Sequence, residues 1–147
     1  MSAPIRLALI LLVFLSGTQS ALAQQSEMFG PYELLYSVVN TTFLAPEVAA
    51  TYGIVRGEQR AILTLAVREQ TAAVGQTRGM ELKGRTWDLI QNQPLEFLEI
   101  REGQAVYYVA DFKFIDEEWR FFEIEFRPEG SSQTYTFKLK HQLYEDL

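Results

Sequence analysis

The sequence predicts an all-β fold, a single antiparallel β-sandwich of the immunoglobulin or fibronectin-like kind with about seven strands and one short helix after the first strand. Three observations carry this. Apolar and polar residues alternate with period two in one segment after another, which turns one face of each segment inward and the other outward. Clusters of Gly, Pro, Asn, Asp and Ser punctuate those segments at short intervals. Helical spacing is confined to one brief stretch. A small barrel built from the same strands is the main alternative.

Each element follows from local chemistry. After a polar lead at 24–27, residues 32–39 place Tyr32, Leu34, Tyr36 and Val38 on one face and form the first strand. Asn40-Thr41-Thr42 ends the alternation; it matches an N-glycosylation acceptor, but reads better as a polar strand exit whose side chains hydrogen-bond a turn. Pro46 near the start and Gly53 just past the end mark one or two helical turns over 46–52. Residues 61–68 form a second strand and 73–82 a weaker third, thinned by Gly75 and Gly79, which suit bulges. A polar connection at 83–94 carries Trp87, Leu89 and Ile90. Strands are then expected at 95–102, 104–114 and 119–127, the first two joined by a tight hairpin at Glu102-Gly103. Asp116-Glu117-Glu118 bounds the next pair as a solvated hairpin loop, and Pro128 to Ser132 leads into a last strand at 134–143.

The alternation also sorts faces. Val106, Tyr108, Ala110, Phe112 and Phe114 form one expected core row, and Phe122, Ile124 and Phe126 another, with Arg120 at its outer end. On the opposite faces, Trp119 and Phe121 run with Glu123, Glu125 and Arg127, and Tyr107 and Val109 run with Asp111 and Lys113. If those two strands pair, Tyr107, Val109, Trp119 and Phe121, with Trp87 from the connection, make a candidate interaction patch with charged flanks. The other outcome is that the 83–94 connection covers that face.

Arg6, the apolar run 7–15 and Ala21-Leu22-Ala23 have the layout of an export signal cut after Ala23. The run is well short of the roughly 20 apolar residues that span a bilayer, and no other segment reaches that length. Residues 24–147 then form one domain. No Arg-Arg pair and no Cys point to the twin-arginine route or to lipidation, so a soluble periplasmic product without stable membrane insertion is expected. Without Cys, disulfides, thiol catalysis and thiolate metal sites are excluded. Losing Arg6 from 13 basic residues leaves 12 against 19 acidic ones, net −7, which argues against nucleic acid as a partner.

Catalytic chemistry finds little purchase. The single histidine, His141, stands near the end of the last strand with no nucleophile elbow around any serine, and reads as a surface residue. Glu123 and Glu125 are about 6.6–6.8 Å apart along one strand face, within the range of glycosidase carboxylates, yet any solvent-facing strand stretch gives that spacing. Asp116-Glu117-Glu118 lacks the spaced ligands and turning glycine of a calcium loop. Gly75, Gly79 and Gly84 are too scattered to cradle a phosphate. No catalytic, metal or cofactor-binding residue is assigned.

Phe29-Gly30-Pro31-Tyr32, Asn40-Thr41-Thr42-Phe43-Leu44 running into Pro46-Glu47-Val48-Ala49, and Tyr52-Gly53 together resemble the opening of domain-of-unknown-function family 4426, small exported proteins of Gram-negative bacteria. Leu95-Glu96-Phe97, Glu99-Ile100-Arg101-Glu102-Gly103, Ala105-Val106-Tyr107-Tyr108 and Ala110-Asp111-Phe112 agree in order and spacing; residues 68–93 are less diagnostic. The resemblance implies a periplasmic protein and carries over no catalytic residue. The expectation is a non-catalytic binding or accessory module of the cell envelope, with an envelope protein or glycan as partner. Its rivals are a carbohydrate-binding module using Trp87, Trp119 and Tyr107, and a carboxylate-dependent hydrolase.

Overall fold

In the computed structural model of the chain, residues 25–146 are described; the expected export signal and its cut after Ala23 lie outside them. Nine strands run in the order β1 (Gln25–Phe29), β2 (Tyr32–Asn40), β3 (Arg60–Glu69), β4 (Met80–Trp87), β5 (Asn92–Leu95), β6 (Leu98–Glu102), β7 (Ala105–Lys113), β8 (Trp119–Pro128) and β9 (Tyr135–Gln142). A 3-10 turn (Thr41–Phe43) and a short helix (Pro46–Thr51) lie between β2 and β3. The helix has Pro at its start, where a missing N–H costs nothing, and Gly53 with φ +68 beyond its end.

The strands form two antiparallel sheets, one of five in the order β1-β2-β3-β7-β6 and one of four in the order β5-β4-β8-β9. This is the expected antiparallel β-sandwich, with nine strands rather than seven. Its core is the meeting of the two inner rows: Leu34, Leu63, Leu65, Val67, Tyr108, Ala110 and Phe112 face Phe122, Ile124, Phe126 and Phe137. Fully burying each such side chain is worth about 1.5–3 kcal/mol. Phe29 closes one side edge-on to Phe126 at a ring separation of 5.0 Å. Both expected core rows are therefore inward, as their alternation requires.

A second apolar cluster lies outside the five-stranded sheet. Leu44, Val48 and Ala49 of the helical segment cover Ile62 and Ala66 of β3, Tyr107 and Val109 of β7, and Ile100 of β6. Among the described residues, none gives the outer face of the four-stranded sheet such a cover.

Four element boundaries differ from the sequence expectation, each for a physical reason. The polar lead is the start of β1, whose residues 25–28 are exposed and so show no alternation. The stretch 70–79 is a connection between sheets, held where Thr77 N–H donates to the Gln104 carbonyl at 3.1 Å; Gly75 and Gly79 lie in it and are not strand bulges. Residues 83–87, expected as connection, are the second half of β4, whose outward side chains are Glu81, Lys83 and Arg85 and whose inward ones include only Gly84 and Thr86 there. The strand expected at 95–102 breaks at Glu96-Phe97, where the chain leaves β5 in one sheet and enters β6 in the other. The Glu102-Gly103 hairpin between β6 and β7 is as expected, with Gly103 at φ +58.

Candidate functional site

The open face is a grid set by cross-strand register. Asn92, Trp87, Phe121 and Lys140 form one rung; Pro94, Arg85, Glu123 and Lys138 form the next; Lys83, Glu125 and Thr136 form a third. Glu81 stands opposite Arg127 in a fourth. Side chains directly opposite across antiparallel strands touch, so alternating charges along the grid make ion pairs. Arg85 lies 3.7 Å and Lys138 3.9 Å from Glu123, and Lys83 lies 3.4 Å from Glu125. All are solvent-screened, so each pair contributes about 1 kcal/mol or less. A shallow depression of about 350 Å³ lies among Lys83, Arg85, Pro94, Glu123 and Glu125.

Toward one end the grid turns aromatic. Trp87 and Phe121 stack at 5.7 Å with their planes 16° apart. The Arg85 guanidinium sits 4.4 Å over the Trp87 ring, and Lys140 Nζ lies 4.7 Å from the Trp119 ring centre and 5.6 Å from that of Phe121. Trp119 is 49% exposed, and Lys140 has no carboxylate partner among the described residues. Of the candidate patch, the structure thus brings together Trp87, Trp119 and Phe121.

Tyr107 and Val109 do not belong to it. They are buried beneath the helix on the other side of the molecule, because β7 pairs with β3 and β6 whereas β8 pairs with β4 and β9. The loop Asp116-Glu117-Glu118 is correspondingly a crossover between sheets and not a hairpin. Nor is the patch covered by residues 83–94, since 83–87 are part of the open face itself.

Beyond the aromatic rung the end of the sandwich is tied by a buried arginine. Arg120, expected at the outer end of its row, is 1% exposed. Its Nη1 lies 3.0 Å from Asp88 Oδ2 and 3.5 Å from Glu118 Oε1, and its Nη2 donates to the Lys113 carbonyl at 2.6 Å. Among the described residues, Arg120 Nε–H and Glu118 Oε1 have no hydrogen-bond partner. Burial pushes the Asp88 carboxyl up, but N–H donation from Gln91 and Ile90, contact with Glu118 and the Arg120 charge outweigh it and hold it below its ordinary range. Burial raises Glu118, against the Arg120 charge and helped by the neighbouring Asp88. The two carboxyls are thereby pushed apart in acidity.

His141 lies beside Arg120 on the inner row and is half-buried, not a surface residue. Burial holds its imidazole below the ordinary value of 6.5. It points away from Glu123 and Glu125, which face outward, so the three form no catalytic set. Among the described residues no three of His, Cys, Asp and Glu lie together as a metal site. Nor is any helix there long and apolar enough to cross a membrane.

At the opposite end a polar cleft of about 390 Å³ is lined by Glu69, Thr77, Arg78, Arg101, Gln104 and Glu129 among others. Sequence reasoning missed it because its residues come from three separate connections and strand ends. Its arginines are internally paired, Arg78 with Glu69 at 2.6 Å and Arg101 with Glu99 and Glu129 at 3.2 and 3.3 Å. The Tyr108 hydroxyl accepts from Met80 N–H and donates to Glu99; burial and that carboxylate push it up to about 12. A tyrosine so placed is a structural tie.

The family model described as domain of unknown function DUF4426 matches residues 26–146. A solved structure of a DUF4426 family protein from Pseudomonas aeruginosa PAO1 is similar at TM-score 0.72 and 27% identity, covering 84% of this chain and 97% of that one. Two structures of FetP from uropathogenic Escherichia coli strain F11 are similar in fold. A copper-bound variant has TM-score 0.60 at 8% identity, covering 82% of this chain and 95% of its own. The protein as isolated after expression in the periplasm has TM-score 0.53 at 8% identity, covering 84% and 95%. A comparison with curated proteins finds no match.

Proposed function

This chain belongs to the DUF4426 family, and from that premise we propose that it is an exported protein of the cell envelope that works by binding, with the outer face of its four-stranded sheet as the binding surface. One observation carries the reading: of the two outer faces, this one presents half-exposed Trp119 with the partly buried Trp87 and Phe121, each beside a cation, at the edge of a charged grid. Exposed aromatic groups rimmed by charge are the composition of interaction sites. Export is supported by the layout of residues 1–23.

The copper of the FetP variant is not carried over. That likeness is one of fold, the chain has one histidine and no cysteine, and among the described residues no three of His, Cys, Asp and Glu lie together. Glycan binding has the half-exposed Trp119 in its favour. Against it, Arg85 and Lys140 already occupy faces of the rings on which a sugar would stack, and Tyr107 is buried. Tryptophan fluorescence during titration with peptidoglycan fragments separates the readings, a saturable change favouring the glycan.

Crosslinking in intact cells tests the binding face. The adduct formed by the wild-type protein is expected to disappear in the double exchange Trp119→Ala with Phe121→Ala, and an undiminished adduct would move the binding surface elsewhere. Reproducible turnover abolished by Glu123→Gln would replace the proposal with a hydrolase.

A further inference from the structure

Leu89 is 100% and Ile90 83% exposed, an unusual condition for two adjacent aliphatic side chains. They are not on a loose loop. Asp88 Oδ1 accepts from Ile90 N–H at 2.7 Å and Gln91 N–H at 2.6 Å, Asp88 N–H donates to the Gln91 carbonyl at 3.0 Å, and the other Asp88 oxygen is held by buried Arg120. The turn is therefore a rigid apolar projection at the end of β4, one residue beyond the Trp87–Phe121–Lys140 rung. A contact already ordered in the unbound state costs less entropy to dock.

The charge of the adjoining face is opposite to that of the molecule. Its outward residues include five cations (Lys83, Arg85, Arg127, Lys138, Lys140) and three anions (Glu81, Glu123, Glu125), five less three giving +2, in a chain of net charge −6. Within the face the excess comes from Lys138, which shares Glu123 with Arg85, and from Lys140, which rests on the rings.

We infer that the partner of the open face is an acidic protein segment bearing an apolar side chain, whose carboxylates pair with Lys138 and Lys140 while the apolar group packs against Leu89 and Ile90. The inference rests on the reading that this face is the binding surface, and names its partner's chemistry. Charge complementarity selects an acidic ligand. The same end also carries exposed Asp116 and Glu117 beside Trp119. Those acids oppose the flat approach of an anionic bilayer, whereas a segment lying along the grid passes them by.

Selection of a random peptide library on the immobilised mature protein is the test. Enriched peptides are expected to carry more acidic than basic residues and at least one Leu, Ile or Phe. Their Kd, read by fluorescence anisotropy, is expected to rise about tenfold or more in Lys140→Glu and in the double exchange Leu89→Ser with Ile90→Ser. These surface exchanges leave the core untouched, and an unchanged thermal melt verifies that they fold. Neutral or basic peptides that still depend on Trp119 would overturn the acidic partner and leave the binding face standing. Peptides indifferent to both Trp119→Ala and Lys140→Glu, or no enrichment at all, would overturn both. Cosedimentation with phosphatidylglycerol vesicles lost in Lys140→Glu would assign the surface to a bilayer instead, and self-association lost in the same variant would assign it to a second copy of the chain; either overturns the inference.

Discussion

On the five-stranded sheet the outward row of Ile62, Ala66, Tyr107 and Val109 is apolar and lies under the helix; on the four-stranded sheet the outward row of Arg85, Trp87, Phe121, Glu123 and Lys140 is charged and aromatic and lies open. Both rows come from strands with the same period-two alternation, so the contrast is not one of secondary structure. It lies in what the connections bring over each face. The segment between β2 and β3 folds back to lay Leu44, Val48 and Ala49 on one sheet. The connections of the other sheet stay at its ends, where Arg120 and Asp88 tie them down. One face is then a second core, and the other is tied from beneath and left open among the described residues.

That contrast can be broken by substitution, most severely on the buried side. Tyr107→Ala, beneath the helix, and Tyr108→Ala, in the central core, are each expected to lower stability by about 3–5 kcal/mol in denaturant unfolding. A loss of under 1 kcal/mol at Tyr107 would mean that the helix does not seal the sheet. Asp88→Ala leaves the buried Arg120 charge with Glu118, at the longer distance, as its one carboxylate among the described residues beside the Lys113 carbonyl, and a loss of about 3–5 kcal/mol is expected. Arg120→Met, which removes the charge and keeps much of the volume, is expected to cost clearly less.

Exchanges on the open face sharpen the contrast from the other side. Trp119→Ala is expected to change stability by about 1 kcal/mol or less, despite removing the larger aromatic side chain, because it stands half in water. Glu123→Gln, which removes the negative charge shared by Arg85 and Lys138, is expected to cost less than about 1 kcal/mol and to matter less still in high salt.

The pH dependence probes the floor between the faces. Burial lowers the His141 pKa, so below pH 6.5 the unfolded chain binds the proton more readily than the native one. Its contribution therefore is present above pH 6.5 and is lost as pH falls through the native value. Raised Glu118 works oppositely: the native state binds its proton more readily, and that contribution fades as pH rises through the native Glu118 value. Comparing the wild type with His141→Gln isolates the imidazole, and the two stability profiles are expected to diverge below pH 6.5 with a slope difference of at most about 1.4 kcal/mol per pH unit. Parallel profiles would place His141 in water.

Legibility followed the strength of each local signal. The rows of β7 and β8 were readable because five and three apolar side chains recur without a miss, and the β6–β7 hairpin because Gly103 takes a positive φ there. β1 and the second half of β4 were not, since an edge strand with one packed residue and a strand whose inward positions are Gly84 and Thr86 carry no hydrophobic period. Trp87, Trp119 and Phe121 were legible as a patch, while Tyr107 and Val109 were joined to it wrongly. Leu89 and Ile90 were visible as apolar residues in a connection, but their outward fixation depends on Asp88 and thus on Arg120, 32 positions away.

By itself, then, the sequence determined the class of fold, the parity of each strand and the charge of the whole chain, because these depend on neighbours one or two residues apart. Which sheet each strand joins, which outer face the helix seals, and whether Arg120 points to solvent or into the core were decided only by tertiary structure. Period two says that Tyr107 and Trp119 point opposite to their core rows; it does not say what lies above them. That depends on long-range pairing and on a connecting segment whose own pattern is too short to announce where it packs.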